Sequence, residues 1–327
     1  MNRFCAPLAG LLALLLALAG CNSATPSATT SGGVTPTPTG AKPYIPVISK
    51  GFQHQFWQAV RVGAERAATE FNVSITFEGP ANEAQVDRQI ELLQTALDKR
   101  PAAICLAAID SQALTPLLER AQAAGIPIIG FDSGVDSNIP VTTAATDNLA
   151  AASLAADKLA ELIGGTGEVA VIAHDETSRS GIDRRDGFLN RMKTKYPQIT
   201  IVDVQYGGGD HAKSAALATA IIQAHPNLKG LFGTNEGSSI GIINALKTHT
   251  GKLVVVGFDS GQAQTDAIRS GVMAGAITQD PIDIGYRCVE AAVKAIKGET
   301  LPKTINTSFH WYDQTNMDSA TIKPLLY

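Results

Sequence analysis

From Tyr44 onwards the chain alternates short, mostly apolar runs with longer segments in which apolar residues return every three or four positions. The runs Tyr44 to Ile48, Val73 to Phe77, Ala103 to Ala107 and Ile126 to Phe131 are each one strand long and read as strands buried on both faces. Between them, Gln85 to Leu97 and Gln112 to Ala124 are rich in Ala and Leu with one polar face, which predicts amphipathic helices. After a short run at Val141 to Ala144 a second series follows: a helix over Asn148 to Ile163, then strands at Val169 to Ala173, Ile199 to Val204, Gly230 to Phe232 and Leu253 to Phe258. Gly164-Gly165-Thr166-Gly167 falls between helix and strand, where an αβ loop belongs. Repeated βα units of about thirty residues imply right-handed crossovers and parallel sheets with helices on both faces. The expected fold class is α/β, with two doubly wound lobes.

Each series ends its run of strands in the same five residues. Gly130-Phe131-Asp132-Ser133-Gly134 follows Ile126-Pro127-Ile128-Ile129, and Gly257-Phe258-Asp259-Ser260-Gly261 follows Leu253-Val254-Val255-Val256. Ligands in open α/β sheets sit beyond the carboxyl ends of the strands, so two matched carboxylates there suggest one site approached from two sides.

The first residues change the picture of where the protein works. Arg3 followed by apolar residues from Ala6 to Ala19 matches a secretory signal and is short for a membrane span. It ends in Leu18-Ala19-Gly20-Cys21, which resembles the bacterial lipobox; this implies a signal peptide at 1–20 and lipid on Cys21, so that the membrane is met through an anchor only. Residues 21–43 are rich in Ser, Thr, Pro and Gly and read as a flexible linker. With 327 residues, 45% hydrophobic and 17% charged, the chain can bury a core large enough for two lobes. A formal charge of −4 with no basic cluster argues against nucleic acid and anionic membrane surfaces as partners. Cys105 and Cys288 are expected to be buried free thiols.

Enzyme signatures fare poorly. Gly237-Ser238-Ser239-Ile240-Gly241 fits G-x-S-x-G, and Asp259 and His310 follow in hydrolase order. A nucleophile elbow needs its Ser directly after a strand, whereas Thr234-Asn235-Glu236 intervenes and Ser239 reads as the first turn of a helix. No G-x-G-x-x-G lies between a strand and its helix, no Walker sequence is present, and neither the six His nor the Cys residues are spaced for a metal. The expectation is a protein without catalytic residues, metal or cofactor.

What remains at the strand ends is polar and aromatic. Ser49-Lys50-Gly51-Phe52-Gln53-His54-Gln55-Phe56-Trp57 places aromatic residues ahead of the first helix, where they could stack on a sugar ring or pack the helix onto the sheet. Asp132, Asn235 and Asp259 end three other strands, and Arg184 lies in a polar segment from Arg179 to Phe188. Carboxylates accept hydroxyl hydrogen bonds, an amide both donates and accepts, and a guanidinium donates to vicinal oxygens, so the set complements a neutral polyhydroxylated ligand.

At these residues the sequence resembles the ribose-type periplasmic sugar-binding proteins, the solute receptors of ABC importers, from Tyr44 to about Thr307. The resemblance is carried by Gln55-Phe56-Trp57, Ile129-Gly130-Phe131-Asp132, Ala145-Thr146-Asp147-Asn148, Arg185-Asp186-Gly187-Phe188, Gly233-Thr234-Asn235-Glu236, Val256-Gly257-Phe258-Asp259 and Thr278-Gln279-Asp280-Pro281. It implies two lobes joined by three crossings, near Thr146-Asp147, Gln279-Asp280 and Asn306-Thr307: residues 44–146 with 280–306, and 147–279 with 307–327. The helix from Ile282 to Lys297 would then belong to the first lobe. It also implies ligand contacts at His54, Phe56, Trp57, Asp132, Asn235, Asp259 and Gln279. Ser133 stands where the family carries an Arg, Gly209 where an aromatic would complete a ring sandwich, and the sugar-contacting Arg of ribose binders falls at Ile182. Arg184 or Arg179 is expected to substitute, and the ligand to differ from ribose. Lys50 sits where the related autoinducer-2 receptors carry a ligand-contacting Lys. The expected function is therefore an exported, lipid-anchored, monomeric receptor that binds a monosaccharide or polyol through Lys50, His54, Phe56, Trp57, Asp132, Ser133, Arg184, Asn235, Asp259 and Gln279 and delivers it to an ABC permease. A signal receptor for autoinducer-2 or a sugar is the alternative, and a serine hydrolase a distant one.

Overall fold

A computed structural model of the chain describes Gly40, residues 42–249 and residues 251–327. The expected signal peptide, Cys21 and nearly all of the linker lie outside the described residues.

The first strands and helices are β1 (Tyr44–Ile48), α1 (Gln55–Glu70), β2 (Ser74–Glu78), α2 (Val86–Asp98), β3 (Ile104–Leu106), α3 (Thr115–Ala123), β4 (Ile128–Phe131) and β5 (Thr142–Thr146). The second series comprises α4 (Asn148–Leu162), β6 (Gly167–Ala173), α5 (Arg179–Lys195), β7 (Ile199–Tyr206), α6 (His211–Ala224), β8 (Leu228–Gly233), α7 (Glu236–Leu246), β9 (Val254–Phe258), α8 (Gln262–Arg269) and β10 (Gly275–Gln279). They are followed by α9 (Pro281–Ile296), β11 (Thr304–Thr307) and β12 (Phe309–Asp313).

Two six-stranded sheets result, ordered β11-β5-β4-β3-β1-β2 and β12-β10-β9-β8-β6-β7. Alternate residues of each buried strand feed two cores. Ile45 and Val47 join α1 and α9 on one face of the first sheet, while Ile48, Ile104 and Leu106 join α2 and α3 on the other. In the second sheet Val169, Val171 and Ala173 point to the α4–α5 side and Ala170 and Ile172 to the α6–α7 side. This two-sided burial is why the runs read as continuously apolar.

The chain passes between the sheets three times. β5 belongs to the first sheet and the following α4 packs on α5 and β9; β10 belongs to the second and the following α9 packs on α1 and β4; β11 and β12 belong to different sheets with only Ser308 between them. The linear pattern of two successive series misses the return of α9 to the first sheet. Two glycines make it possible: a methyl group at Gly63 would come within 1.9 Å of the Ile282 carbonyl oxygen, and one at Gly285 within 2.0 Å of that of Val60. Helices α1 and α9 thus meet backbone to backbone.

One strand departs from the parallel expectation: β12 runs antiparallel to β10. The strands beside it end at the cleft, and a chain that leaves the end of β11 and continues straight on enters the second sheet from its cleft side, so it must run the other way. Phe56 and Trp57 also differ from expectation, since they lie within the first turn of α1 rather than ahead of it.

Candidate functional site

Both copies of the pentapeptide turn the chain sharply at the end of a strand. Asp132 and Asp259 have φ of 55° and 79°, the left-handed region that ordinary residues avoid at a cost of about 1–3 kcal/mol, and such strain concentrates at functional sites. Each donates its backbone N–H to the neighbouring strand, Asp132 to Ala144 at 2.9 Å and Asp259 to Ile277 at 2.7 Å. Their side chains face one cavity, lined also by Lys50, His54, Phe56, Trp57, Glu83, His174, Ser180, Arg184, Asn235 and Gln279.

The two carboxylates are not equivalent. Asp259 accepts the Glu236 N–H at 2.8 Å and the Gln279 amide at 2.7 Å, and Gln279 in turn accepts the Thr146 hydroxyl at 2.7 Å. This chain of bonds runs from the cavity into two of the three crossing segments. Asp132 is buried and accepts no side-chain hydrogen bond among the described residues; burial, opposed by Lys50 and Arg184, pushes its pKa up to about 6. Its oxygens are the open acceptors of the site. Asn235 caps α7 by accepting the Ser238 N–H at 2.9 Å, which leaves its amide N–H groups available.

The remaining walls are held by protein partners. The Trp57 indole N–H donates to Glu83 at 2.8 Å, its ring packing edge-on to Phe56 and Phe131, so this residue is both a core residue and a cavity wall. Arg184 donates to Asn148 at 2.8 Å and to the Thr234 carbonyl at 3.0 Å, with its guanidinium over the Phe258 ring at 3.8 Å. The Lys50 ammonium lies 3.4 Å from the hydroxyls of Ser178 and Ser180, 3.5 Å from Glu83 and 3.7 Å from Asp175. Burial would lower the Lys50 pKa, but those two carboxylates outweigh it and raise it, so Lys50 remains charged. Burial alone would raise Glu83; the Lys50 ammonium, helped by the hydrogen bond from the Trp57 indole, holds it below the usual carboxylate range instead. His174 goes the other way, held neutral chiefly by burial.

Several contacts cross directly from one lobe to the other. The Glu236 carboxylate accepts the backbone N–H groups of Gln55 at 3.0 Å and Phe56 at 3.1 Å, the free donors at the N-terminus of α1, where the helix dipole favours an anion. The Gln55 side chain accepts the Gln262 N–H at 2.7 Å, and the Thr177 carbonyl accepts the Ser111 N–H at 3.0 Å. Burial raises Glu236 to about 7 despite these hydrogen bonds.

A polar cavity at the strand ends of two sheets, walled by both lobes, is the architecture of a solute receptor, and the family model for a periplasmic binding protein domain matches residues 45–300. The chain belongs to the periplasmic binding protein family. The D-allose-binding periplasmic protein of Escherichia coli is 28% identical over 268 residues, 78% of this chain and 86% of the relative. A carbohydrate transporter solute-binding protein from Agrobacterium radiobacter, solved with D-arabinose, has a TM-score of 0.85 at 32% identity and covers 88% of this chain and 100% of its own. An ABC transporter solute-binding protein from Agrobacterium vitis, solved with D-fucose, reaches 0.84 at 32% identity, covering 87% of this chain and 100% of its own.

As a member of this family the chain is a binding protein, not an enzyme. Ser239, the hydrolase candidate, is buried with its hydroxyl 3.5 Å from the carbonyls of Gly233 and Phe258, and among the described residues no His or carboxylate hydrogen-bonds to it.

The structure brings together Lys50, His54, Phe56, Trp57, Asp132, Arg184, Asn235, Asp259 and Gln279 on the one cavity. Ser133 is the exception: it is outside the lining, and its hydroxyl accepts the Ser180 N–H at 3.3 Å, because the turn at Asp132 points the next side chain away. Of the two candidate arginines, Arg184 lines the cavity, while Arg179 pairs with Asp136 and Asp183 outside it. The sequence reading missed Glu83, His174 and Ser180. His174 directly follows β6 and was open to the same strand-end argument as Asp132; Glu83 lies in the loop after β2 with no local pattern to mark it.

Proposed function

We propose that the chain is an extracytoplasmic receptor that captures a neutral monosaccharide or polyol between residues 44–146 with 280–306 and residues 147–279 with 307–327, and delivers it to the permease of an ABC importer while anchored through lipid on Cys21. The observation that carries the reading is Asp132, a buried carboxylate that has no hydrogen-bond donor among the described residues, in a cavity whose other groups are largely satisfied. Two vicinal hydroxyls would supply its missing donors. Leaving such a group unpaired costs roughly 1–3 kcal/mol, which is the basis of discrimination against ligands that lack those hydroxyls. Phe56 and Trp57 line the cavity and offer the apolar wall that a sugar's C–H face requires.

The mechanism is closure. Groups from both lobes line the cavity, so the ligand stabilises the closed arrangement over the open one, and the permease reads the closed surface. Signalling through autoinducer-2 rested on Lys50, but its ammonium already serves two hydroxyls and two carboxylates, which leaves it little to offer a ligand. A thermal-shift screen of D-allose, D-ribose, D-arabinose, D-fucose, D-tagatose, inositols and pentitols, followed by calorimetry, tests the reading. At least one should bind in the micromolar range or tighter; no binding across the panel would overturn it.

A further inference from the structure

Gln53 does not line the cavity, yet its side chain fixes the state of one that does. Its amide nitrogen lies 3.2 Å from the carbonyl oxygen of Gly209, across the cleft, and 2.9 Å from Nε2 of His54. A carbonyl oxygen only accepts, so the group facing Gly209 is the NH2, and its second hydrogen is directed to His54. His54 Nε2 must then be the accepting nitrogen, because a proton there would set two donors against each other at 2.9 Å. The ring is consequently neutral, with its proton on Nδ1. Glu83 stands 3.9 Å from the same Nε2, beyond hydrogen-bond reach, and already accepts the Trp57 indole. Nδ1 is buried without a partner among the described residues, on a side chain that lines the cavity.

The arrangement requires the backbone opposite. Gly209 has φ of +67°, and a Cβ there would sit 3.2 Å from the Gln53 nitrogen and 3.3 Å from His54 Nε2. A Cβ at Gly237 would come within 1.9 Å of the very oxygen that Gln53 uses. Two glycines of the second lobe therefore leave room for Gln53 and His54 of the first.

We propose that Gln53 is a positioning residue for ligand recognition: by donating to Gly209 of the opposite lobe and to His54, it holds His54 as the Nδ1–H tautomer, so that the closed site presents an N–H donor which the ligand meets with a ring, carbonyl or hydroxyl oxygen. The inference rests on the cavity being the sugar site. Burial supports it by lowering the His54 pKa, assisted by His211, whose ring stacks at 5.7 Å, and by Lys50, against the opposing pull of Glu83 and Asp259.

Long-range imidazole 1H–15N spectra at pH 7.5, with His54 assigned by comparison with His54→Phe, read the tautomer directly. The protein is measured alone and saturated with whichever sugar of the panel binds. The wild type should show neutral His54 protonated on Nδ1; Gln53→Leu should give mixed tautomers and weaken that sugar by about tenfold, the loss of one hydrogen bond to the ligand. Gln53→Glu, an acceptor in the same place, should move the proton to Nε2. A charged or Nε2-protonated His54 in the wild type, or the same tautomer in Gln53→Leu, overturns the proposal. If no sugar binds, the sugar reading fails, and the spectra of the protein alone still decide the role of Gln53 by the same criteria.

Discussion

Asp132 and Asp259 have the same neighbours in sequence and the same left-handed backbone, but the Asp259 carboxylate accepts two hydrogen bonds and, among the described residues, that of Asp132 accepts none. The difference lies in the groups that face them across space. Asp259 faces Glu236 at the start of a helix and Gln279 at a crossing, both distant in sequence, whereas Asp132 feels Lys50 and Arg184, whose hydrogen bonds go to other partners. A buried Asp with its pKa raised from 3.8 to about 6 destabilises the folded protein above that pH, since the folded form holds its proton more tightly than the unfolded chain. The stability it removes sets in as pH rises from about 4 to 6 and amounts to roughly 3 kcal/mol at neutral pH, at 1.36 kcal/mol per unit. Asp132→Asn should therefore raise the melting temperature of the ligand-free protein at pH 7.5, with the gain vanishing near pH 4, while weakening sugar binding by more than about tenfold. Calorimetric melting and titration of one variant test both; unchanged affinity would remove Asp132 from the ligand contacts.

At the scale of elements, α1 is the piece on which both lobes converge. Its N-terminus meets Glu236 and its flank meets α9 through Gly63 and Gly285. Gly63→Ala forces a methyl group against a backbone carbonyl that cannot retreat, and should cost about 1–3 kcal/mol or more, seen as a melting temperature lowered by several degrees. Glu236 reports on the other contact. Its pKa is about 7 with the lobes together and returns toward 4.5 when they part and its carboxylate is hydrated, so the closed form binds the additional proton. Closure is therefore favoured as pH falls from about 7.5 to 5. His54 opposes this trend, because burial lowers its pKa in the closed form. The ratio of wild-type affinity to that of Glu236→Gln isolates the Glu236 contribution; it should shift toward the wild type by roughly tenfold or more across this range. A ratio independent of pH would show that Glu236 is not titrated by closure.

For the whole molecule, a cleft closed by ligand has two consequences that no single contact dictates. Saturation with the cognate sugar should lower the radius of gyration in small-angle scattering, as the open population is drawn into the closed form. At one hundred times Kd it should also add about 2.7 kcal/mol to stability. A stabilised protein whose scattering does not change would mean a site formed without closure.

The strands, the two-lobed α/β class and the strand-end Asp132, Asn235 and Asp259 were legible because each leaves a local mark, an apolar run stopped by a turn residue. Phe56 and Trp57 were legible as candidates but not in their double role, since only the packed sheet shows that one ring can serve core and cavity together. The sequence alone determined where strands end and which chemistry stands there. The linear pattern missed the lobe of α9, which the family resemblance supplied; the tertiary structure decided the antiparallel course of β12, the inclusion of Glu83 and His174, the exclusion of Ser133 and the proton position on His54. These depend on approaches such as Gln53 to Gly209, 156 residues apart, and Glu236 to Gln55, 181 apart. Such contacts arise only when the chain has crossed between lobes, and no periodicity in either partner's neighbourhood records them.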